Sequence, residues 1–210
     1  MIFSDIKVGK KLRSLRPILE KWIRLNGHYG KMMAWSDCAW WSNERASTGV
    51  LAGAVWKCGG IALEEFSTRK TFKKRIGTGR CDLFIAVGSN KKKKFACEIK
   101  QVFPRMKNGR AGEIAQAGAK LDLACEDARN LFPQEGRRLG ICFVTPRFPC
   151  SRISSMNNCL KDYLDGIQKR LEFDAVAWCF PKEAREMTWL ENGRTYPGVI
   201  ILIREVFRSR

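Results

Sequence analysis

Histidine is almost absent from this sequence, whose 210 residues include only His28. We interpret His28 as an ordinary surface residue because it lies in a polar Asn-Gly-His-Tyr-Gly segment typical of a loop. Serine and cysteine nucleophiles are commonly activated by an imidazole base. The sequence therefore argues against Ser-His and Cys-His catalysis, and any hydrolytic chemistry must rely on other side chains.

Closely spaced cysteine pairs are also absent. The nine cysteines lie at positions 38, 58, 81, 97, 125, 142, 150, 159 and 179, and no two are separated by only two residues. Their number is odd, several lie in apolar segments, and no secretory signal opens the chain. We therefore expect reduced, buried thiols in a cytoplasmic protein, and neither a zinc site nor disulfide bonds.

Long apolar runs are missing as well. No uninterrupted apolar segment approaches the roughly 18 residues that a membrane-spanning helix needs. Hydrophobic residues still make up 45% of the chain, which suffices for one sizeable core. We predict a soluble protein with one domain over residues 1–210. Within it we expect an N-terminal basic helix and loop (1–35), a core (40–145) and a C-terminal extension of that core (146–210).

Positive charge dominates the composition. Thirty-nine Lys and Arg against twenty-one Asp and Glu give a formal net charge of +18, spread along the whole chain. Such a field attracts polyanions and speeds their association. Nucleic acid is the first candidate partner and an anionic membrane surface the second. A membrane-surface or scaffold role is supported by charge alone.

The stretch 79–103, GRCDLFIAVGSNKKKKFACEIKQVF, has the pattern of a β-hairpin. Two apolar runs, Cys81–Val87 and Phe95–Val102, flank a Gly-Ser-Asn turn and four lysines. A turn near Asn90 predicts one wholly apolar face. On that face we expect Leu83, Ile85 and Val87 to lie opposite Ile99, Cys97 and Phe95.

The other face of the predicted hairpin pairs two acidic residues. Asp82 is expected opposite Glu98, and Lys100 lies two residues further along the same side of the strand. Directly opposed carboxylates lie about 4.5–5.5 Å apart and repel one another. Mg²⁺, which binds through one or two carboxylates with water and phosphate, would compensate them. Lys100 would then stabilise phosphate charge or lower the pKa of an attacking water.

Asp82 followed after fifteen residues by Glu98-Ile99-Lys100 resembles the PD-(D/E)xK nuclease superfamily, which includes many restriction enzymes, Holliday-junction resolvases and repair nucleases. Arg80-Cys81 precedes the aspartate, so the proline of the motif is not present. The resemblance covers about residues 40–145. It implies an α/β, restriction-endonuclease-like fold in which an αβββαβ core surrounds a central mixed sheet. An N-terminal helix and C-terminal α/β additions complete the expected fold.

The resemblance also implies roles for individual residues. Asp82 and Glu98 would hold one or two Mg²⁺ ions, with the Ile99 carbonyl as a further ligand. Glu44 would bind a second ion or orient water, and Lys100 would position or activate the nucleophile. Mn²⁺ is expected to substitute for Mg²⁺.

Glu44 lies in the first turn of a predicted helix over 43–57, capped by Ser42 or Asn43. Helical spacing places it on one face with Ser47, Thr48 and Leu51. An acidic residue is also favoured there by the helix dipole, so a capping role is the alternative.

Further elements follow from periodicity. Helices are predicted over 11–26, ended by Gly27 and Gly30, and over 112–131 and 155–170. Strands are predicted over 61–69, 139–145, 173–180 and 198–206. The basic segment 67–80 is interpreted as a loop that delivers a phosphate backbone to Asp82. Salt bridges to its basic residues are the simplest role for Glu64 and Glu65.

Several basic residues are predicted to contact nucleic acid because they flank the acidic pair. They are Lys70, Lys73, Lys74, Arg75, Arg80, Lys107 and Arg110. The basic face of the first helix is interpreted as a solvated surface, a DNA-contacting arm or an oligomer contact, which leaves a homodimer open.

The sequence thus favours a Mg²⁺-dependent deoxyribonuclease, preferably an endonuclease acting on DNA rather than RNA. The alternative is a nucleic-acid-binding module on the same fold with little or no cleavage.

Overall fold

The computed structural model describes residues 3–72, 75–88, 93–106, 110–132, 136–187 and 193–207, without the side chains of residues 72, 75, 110, 152 and 153. The helices are α1 (Arg16–Met32), α2 (Glu44–Lys57), α3 (Arg110–Arg129), α4 (Met156–Arg170) and α5 (Lys182–Glu186). The strands are β1 (Phe3–Val8), β2 (Ile61–Phe72), β3 (Arg75–Val87), β4 (Lys93–Val102), β5 (Arg137–Val144), β6 (Phe148–Pro149), β7 (Ala175–Phe180), β8 (Arg194–Thr195) and β9 (Val199–Val206).

Seven strands form one mixed sheet in the order β1-β7-β9-β5-β4-β3-β2. Strands β4 and β5 run parallel, and the other neighbouring pairs in this sheet run antiparallel. Helices α1 and α2 supply buried side chains to one face of the sheet, and α3 and α4 supply them to the other. The predicted α/β class with a central mixed sheet is confirmed, and the order α2, β2, β3, β4, α3, β5 follows the expected αβββαβ order.

Strand β5 occupies the middle of this sheet, as its composition requires. Leu139 to Val144 are buried, and a strand that is covered on both faces reads as a continuous apolar run. Strands β7 and β9 extend the same sheet beyond β5, and β1 forms its edge. Strand β1 was not predicted, because its sequence FSDIKV is short and half polar.

Helix α1 is displaced from the predicted span 11–26, because Lys10–Leu15 form a 3-10 helix and α1 begins only at Arg16. Neither Gly27 nor Gly30 ends it, and it continues to Met32. A glycine inside a helix costs only about 1 kcal/mol relative to alanine, so packing can offset it. At Gly30 the packing is specific, because an added Cβ would lie 2.3 Å from the Trp35 ring. His28 therefore lies in this helix and not in a loop, although it is exposed as expected.

The described residues of the basic segment 67–80 form strands and not a loop, which corrects the prediction. Residues 67–72 belong to β2 and residues 75–80 to β3, with Ser67 opposite Arg80 and Thr71 opposite Ile76. The end of α3 holds this hairpin through the backbone. The N–H of Thr71 donates to the Asn130 carbonyl (2.8 Å), and the N–H of Phe132 donates to the Arg69 carbonyl (3.1 Å). Strands are predicted from alternating apolar side chains, and this mostly polar segment has none. Its strands are held by backbone hydrogen bonds, which almost any residue can form, so the sequence does not reveal them.

Gly140 sets how closely α3 approaches the sheet. A Cβ at this position would lie 2.5 Å from Cys125 Sγ and 2.8 Å from Cys125 Cα. We expect Gly140→Ala to lower the free energy of unfolding by about 1–3 kcal/mol, the usual cost of overpacking a core. Urea denaturation measures this change.

Gly112→Ala is the control for this substitution, since Gly112 lies on α3 itself but has open space around its added Cβ. Helix propensity predicts equal or higher stability for it, by up to about 1 kcal/mol. Equal stability of wild type and Gly140→Ala would show that the helix approaches the sheet less closely than described.

Candidate active site

The hairpin predicted from the sequence is present, in the register that the predicted pairing of Asp82 with Glu98 requires but not in the register of the predicted apolar pairs. Leu83 lies opposite Cys97 and Ile85 opposite Phe95, so the predicted pairing of Leu83 with Ile99 is wrong by two residues. The apolar face itself is confirmed, since Leu83, Ile85, Phe95, Cys97 and Ile99 are all buried in one cluster with α1 and α2. Side chains alternate with a period of two, so a register shift of two residues leaves each side chain on its predicted face of the sheet.

Asp82 lies where the backbone ladders on both sides of β3 are interrupted. Pairing with β4 runs only to Leu83 opposite Cys97, and pairing with β2 omits the position between Glu64 and Phe66. The omitted residue, Glu65, has a φ of 53° in the left-handed region. The Asp82 side chain replaces the missing bond, because its Oδ2 accepts a hydrogen bond from the Ile99 N–H (2.7 Å). The aspartate is therefore oriented by the strand that carries Glu98.

Glu98 is a buried acid with a cation beside it. Its side chain is 3% exposed, and Lys70 Nζ lies 2.8 Å from Oε1. The two groups form an ion pair, but the contact does not have the geometry of a well-aligned hydrogen bond. Burial and then the charge of Asp82 raise the pKa of Glu98 to about 7, against the opposing charges of Lys70 and Lys100.

Lys70, which was predicted to contact nucleic acid, forms an ion pair inside the protein with Glu98. Its side chain is 15% exposed and crosses β3 to reach Glu98. Gly79 gives it the space, since an added Cβ there would lie 2.9 Å from Lys70 Cγ and 2.8 Å from Lys70 Cδ. A glycine diagonally across from a lysine in the paired strand is the only signal in the sequence that pointed to this contact.

Lys100 pairs with an acidic residue on helix α3. Its Nζ lies 2.9 Å from Asp127 Oδ2, and both side chains are partly buried. Burial acts to lower the pKa of Lys100, but the hydrogen bond to Asp127 and the charges of Asp82 and Glu44 raise it above its usual value. Sequence reasoning missed Asp127, because the apolar stripe of α3 says nothing about which polar side chain reaches the sheet.

Glu44 begins α2, as predicted, and faces the same group of charges. The Asn43 side chain caps the helix by accepting from the Ala46 N–H (3.0 Å). Burial raises the pKa of Glu44, as does the charge of Asp82, while Lys100 and the hydrogen bond from the Gln101 N–H oppose the shift. Ser47, Thr48 and Leu51 are buried on the predicted face.

The carboxylates form a pair and not a larger ligand set. Among the described residues, no group of three or more His, Cys, Asp or Glu is arranged to hold a metal ion, so Glu44 is not part of such a group with Asp82 and Glu98. Mg²⁺ is usually bound through one or two carboxylates and keeps several waters. Two acidic side chains on adjacent strands, one of them buried and repelled by the other, therefore fit a single hard cation.

Of the other predicted nucleic-acid contacts, Arg80 lies at the surface near Asp82. Its side chain is 67% exposed, and it pairs with Glu65 (3.3 Å), as does the exposed Arg45 (3.3 Å). Among the described residues these two arginines are the partners of Glu65, whereas Lys70 pairs with Glu98. Lys73, Lys74 and Lys107 and the side chains of Arg75 and Arg110 lie outside the described residues.

A cleft of about 600 Å³ lies between the end of β4 and the outer side of α3. Val102, Gln116 and Lys120 contribute to its lining. The positive charge of Lys120 reaches Glu44, where it acts to lower the pKa of the carboxyl.

Comparison of this chain with models of protein families, with curated proteins and with solved structures gave no match. Within the described part of the chain, no helix has the length and apolar character needed to cross a membrane. The interpretation of the site therefore depends on its own residues and geometry.

The contact between Asp127 and Lys100 leads to a prediction about the lysine. We expect Asp127→Asn to lower the pKa of Lys100, because the amide keeps a hydrogen-bond acceptor but removes the charge that favours the ammonium. The pKa is measured by following the Lys100 Cε and Nζ NMR signals against pH.

Asp122→Asn is the control, since Asp122 lies on the same helix but pairs with Arg204 (2.6 Å). It should leave the Lys100 titration unchanged. The same Lys100 pKa in wild type and Asp127→Asn would contradict a role for Asp127 in holding the ammonium.

Proposed function

We propose that this chain is a divalent-metal-dependent nuclease that hydrolyses phosphodiester bonds, with a restriction-endonuclease-like fold and DNA as the preferred substrate. The observation that carries the proposal is the coupled group of charges on β3 and β4. Asp82 and Glu98 lie on adjacent strands, and the charges of both Asp82 and Lys100 act on Glu98. Together with the resemblance to the PD-(D/E)xK motif, this arrangement favours phosphoryl chemistry.

In this proposal Asp82 and Glu98 hold Mg²⁺ or Mn²⁺, with the Ile99 carbonyl as a further ligand. The ion would neutralise charge on the phosphate and lower the pKa of a bound water. No imidazole is needed for such chemistry, in agreement with the exposed position of the single histidine.

The other two polar groups act on the substrate and the nucleophile. Lys100, kept protonated by Asp127, stabilises the negative charge that develops on the phosphate. Glu44 orients the attacking water or contacts a second ion. Exposed basic residues such as Arg80 supply affinity for the phosphate backbone that does not depend on base sequence.

A nucleic-acid-binding module without cleavage is the second candidate. The ion pair of Lys70 with Glu98 favours it, because a protein cation already compensates one of the two carboxylates. Against it, a buried acid repelled by a second acid is costly to keep in a protein that needs no metal. The net charge of +18 suits both candidates.

Incubation with a panel of substrates distinguishes the two candidates. Duplex, single-stranded and branched DNA and RNA are each incubated with Mg²⁺, Mn²⁺ or EDTA, alongside Asp82→Ala and Lys100→Ala. The nuclease proposal expects metal-dependent cutting by wild type alone, with supercoiled plasmid linearised if the enzyme is an endonuclease. Binding without cutting would support the module, and equal cutting by all three proteins would place the activity elsewhere.

A further inference from the structure

The carboxylate oxygens of the site are partly committed to the protein itself. Asp82 Oδ2 accepts from the Ile99 N–H (2.7 Å), and Glu98 Oε1 lies 2.8 Å from the Lys70 ammonium. Of these four oxygens, Asp82 Oδ1 and Glu98 Oε2 have no contact with a hydrogen-bond donor or cation among the described residues that would compete with a metal. Two oxygens from two carboxylates are the usual protein share for one Mg²⁺.

Sites with two metal ions hold them about 3.5–4 Å apart and need carboxylates that both ions can share. At this site the position beside Glu98 Oε1 is already taken by the positive charge of Lys70. Glu44 does not supply the missing ligand, since no three-acid group is found among the described residues.

The position of Lys70 is built into the hairpin. A Cβ at Gly79 would lie 2.8 Å from Lys70 Cδ, so the absence of a side chain at 79 gives the lysine its path across β3. Two backbone hydrogen bonds to the segment after α3, from the Thr71 N–H to the Asn130 carbonyl and from the Phe132 N–H to the Arg69 carbonyl, fix the strand on both sides of Lys70. The ammonium is therefore held in the site and is not a surface charge that happens to lie near it.

We propose that the Lys70 ammonium fills the second cation position of this site, so that the protein takes up one divalent ion and not two. This inference rests on the proposed function, because it assumes that Asp82 and Glu98 hold the ion. Lys70 would be a positioning residue that keeps Glu98 charged and turned towards Asp82 before the ion enters.

Counting bound Mn²⁺ by electron paramagnetic resonance, without nucleic acid, tests the proposal. Only ions that are lost in Asp82→Asn count as bound at the site. We expect one ion per chain for wild type and two for Lys70→Met, which removes the ammonium but keeps the length of the side chain. Lys93→Met removes the same charge from an exposed position on β4 and should bind one ion.

Gly79→Ala provides a second variant should Lys70→Met fail to fold. It displaces the lysine without changing the net charge, and it should also bind two ions. Two ions on wild type, or one ion on both folded variants, would overturn the role of Lys70 while leaving the nuclease proposal intact. Failure of wild type to bind any Mn²⁺ at Asp82 would instead remove the metal-dependent function itself.

Discussion

Asp82→Asn is expected to reduce nucleic-acid cleavage by about a thousandfold. A metal ion contributes several kcal/mol to stabilising charge in the transition state, and each 1.4 kcal/mol is a factor of ten in rate. The amide removes the ligand charge but keeps an oxygen that can accept from the Ile99 N–H, so the fold of the hairpin should be unaffected. The measurement is the single-turnover rate of cleavage at saturating Mg²⁺.

Lys100→Met should cause a loss of about a hundredfold or more in the same assay, the usual cost of removing one preorganised group that stabilises transition-state charge. It leaves Asp127, which is 37% exposed, in contact with water and therefore adequately solvated. Lys93→Met is the control for general loss of positive charge and should cleave within a few fold of the wild-type rate. If Asp82→Asn and Lys100→Met both cut as well as this control, the chemistry does not occur on β3 and β4.

The second large effect is a dependence of stability on pH that originates at Glu98. Its pKa is raised from the usual value of 4.5 to about 7, because burial and then the charge of Asp82 disfavour the charged form. The folded protein thus binds this proton more tightly than the unfolded chain does. The stabilisation is fully present below pH 4.5 and is lost as the pH rises through about 7. Its size is roughly 3 kcal/mol.

Glu98→Gln isolates this contribution, since glutamine resembles the protonated acid at every pH. In urea denaturation with EDTA, we expect the variant to gain stability relative to wild type between pH 5 and pH 8.5, by roughly 3 kcal/mol. Glu183→Gln replaces an exposed acid on α5 and should follow the wild-type curve. A constant difference between Glu98→Gln and wild type over this range would mean that Glu98 titrates normally in the folded protein.

The local parts of the site could be predicted from sequence. Alternation along the two strands places Asp82, Glu98 and Lys100 on the face opposite Leu83, Ile85, Phe95, Cys97 and Ile99, and a register shift of two residues does not change this. Asn43 was correctly among the predicted caps of α2, because capping depends on residues within one turn. Both predictions depend on interactions between near neighbours in the chain.

The partners of these groups could not be predicted in this way. Lys70 on β2 reaches Glu98 on β4 across the intervening strand β3. Asp127 reaches Lys100 from helix α3. The mostly polar side chains of segment 67–80 predict a loop, because the backbone hydrogen bonds that pair its strands do not depend on residue type. Each of these contacts joins residues 27 or 28 positions apart in sequence.

By itself, the sequence determined a mixed α/β chain with a hairpin that carries two acids and a lysine on one face, because side-chain direction follows from periodicity alone. Only the tertiary structure decided which charge compensates which. That choice depends on how closely β2, β3 and α3 approach β4. Gly79 leaves the space that the Lys70 side chain occupies, and Gly140 lets α3 lie close to the sheet, so both contacts depend on residues far away in the sequence.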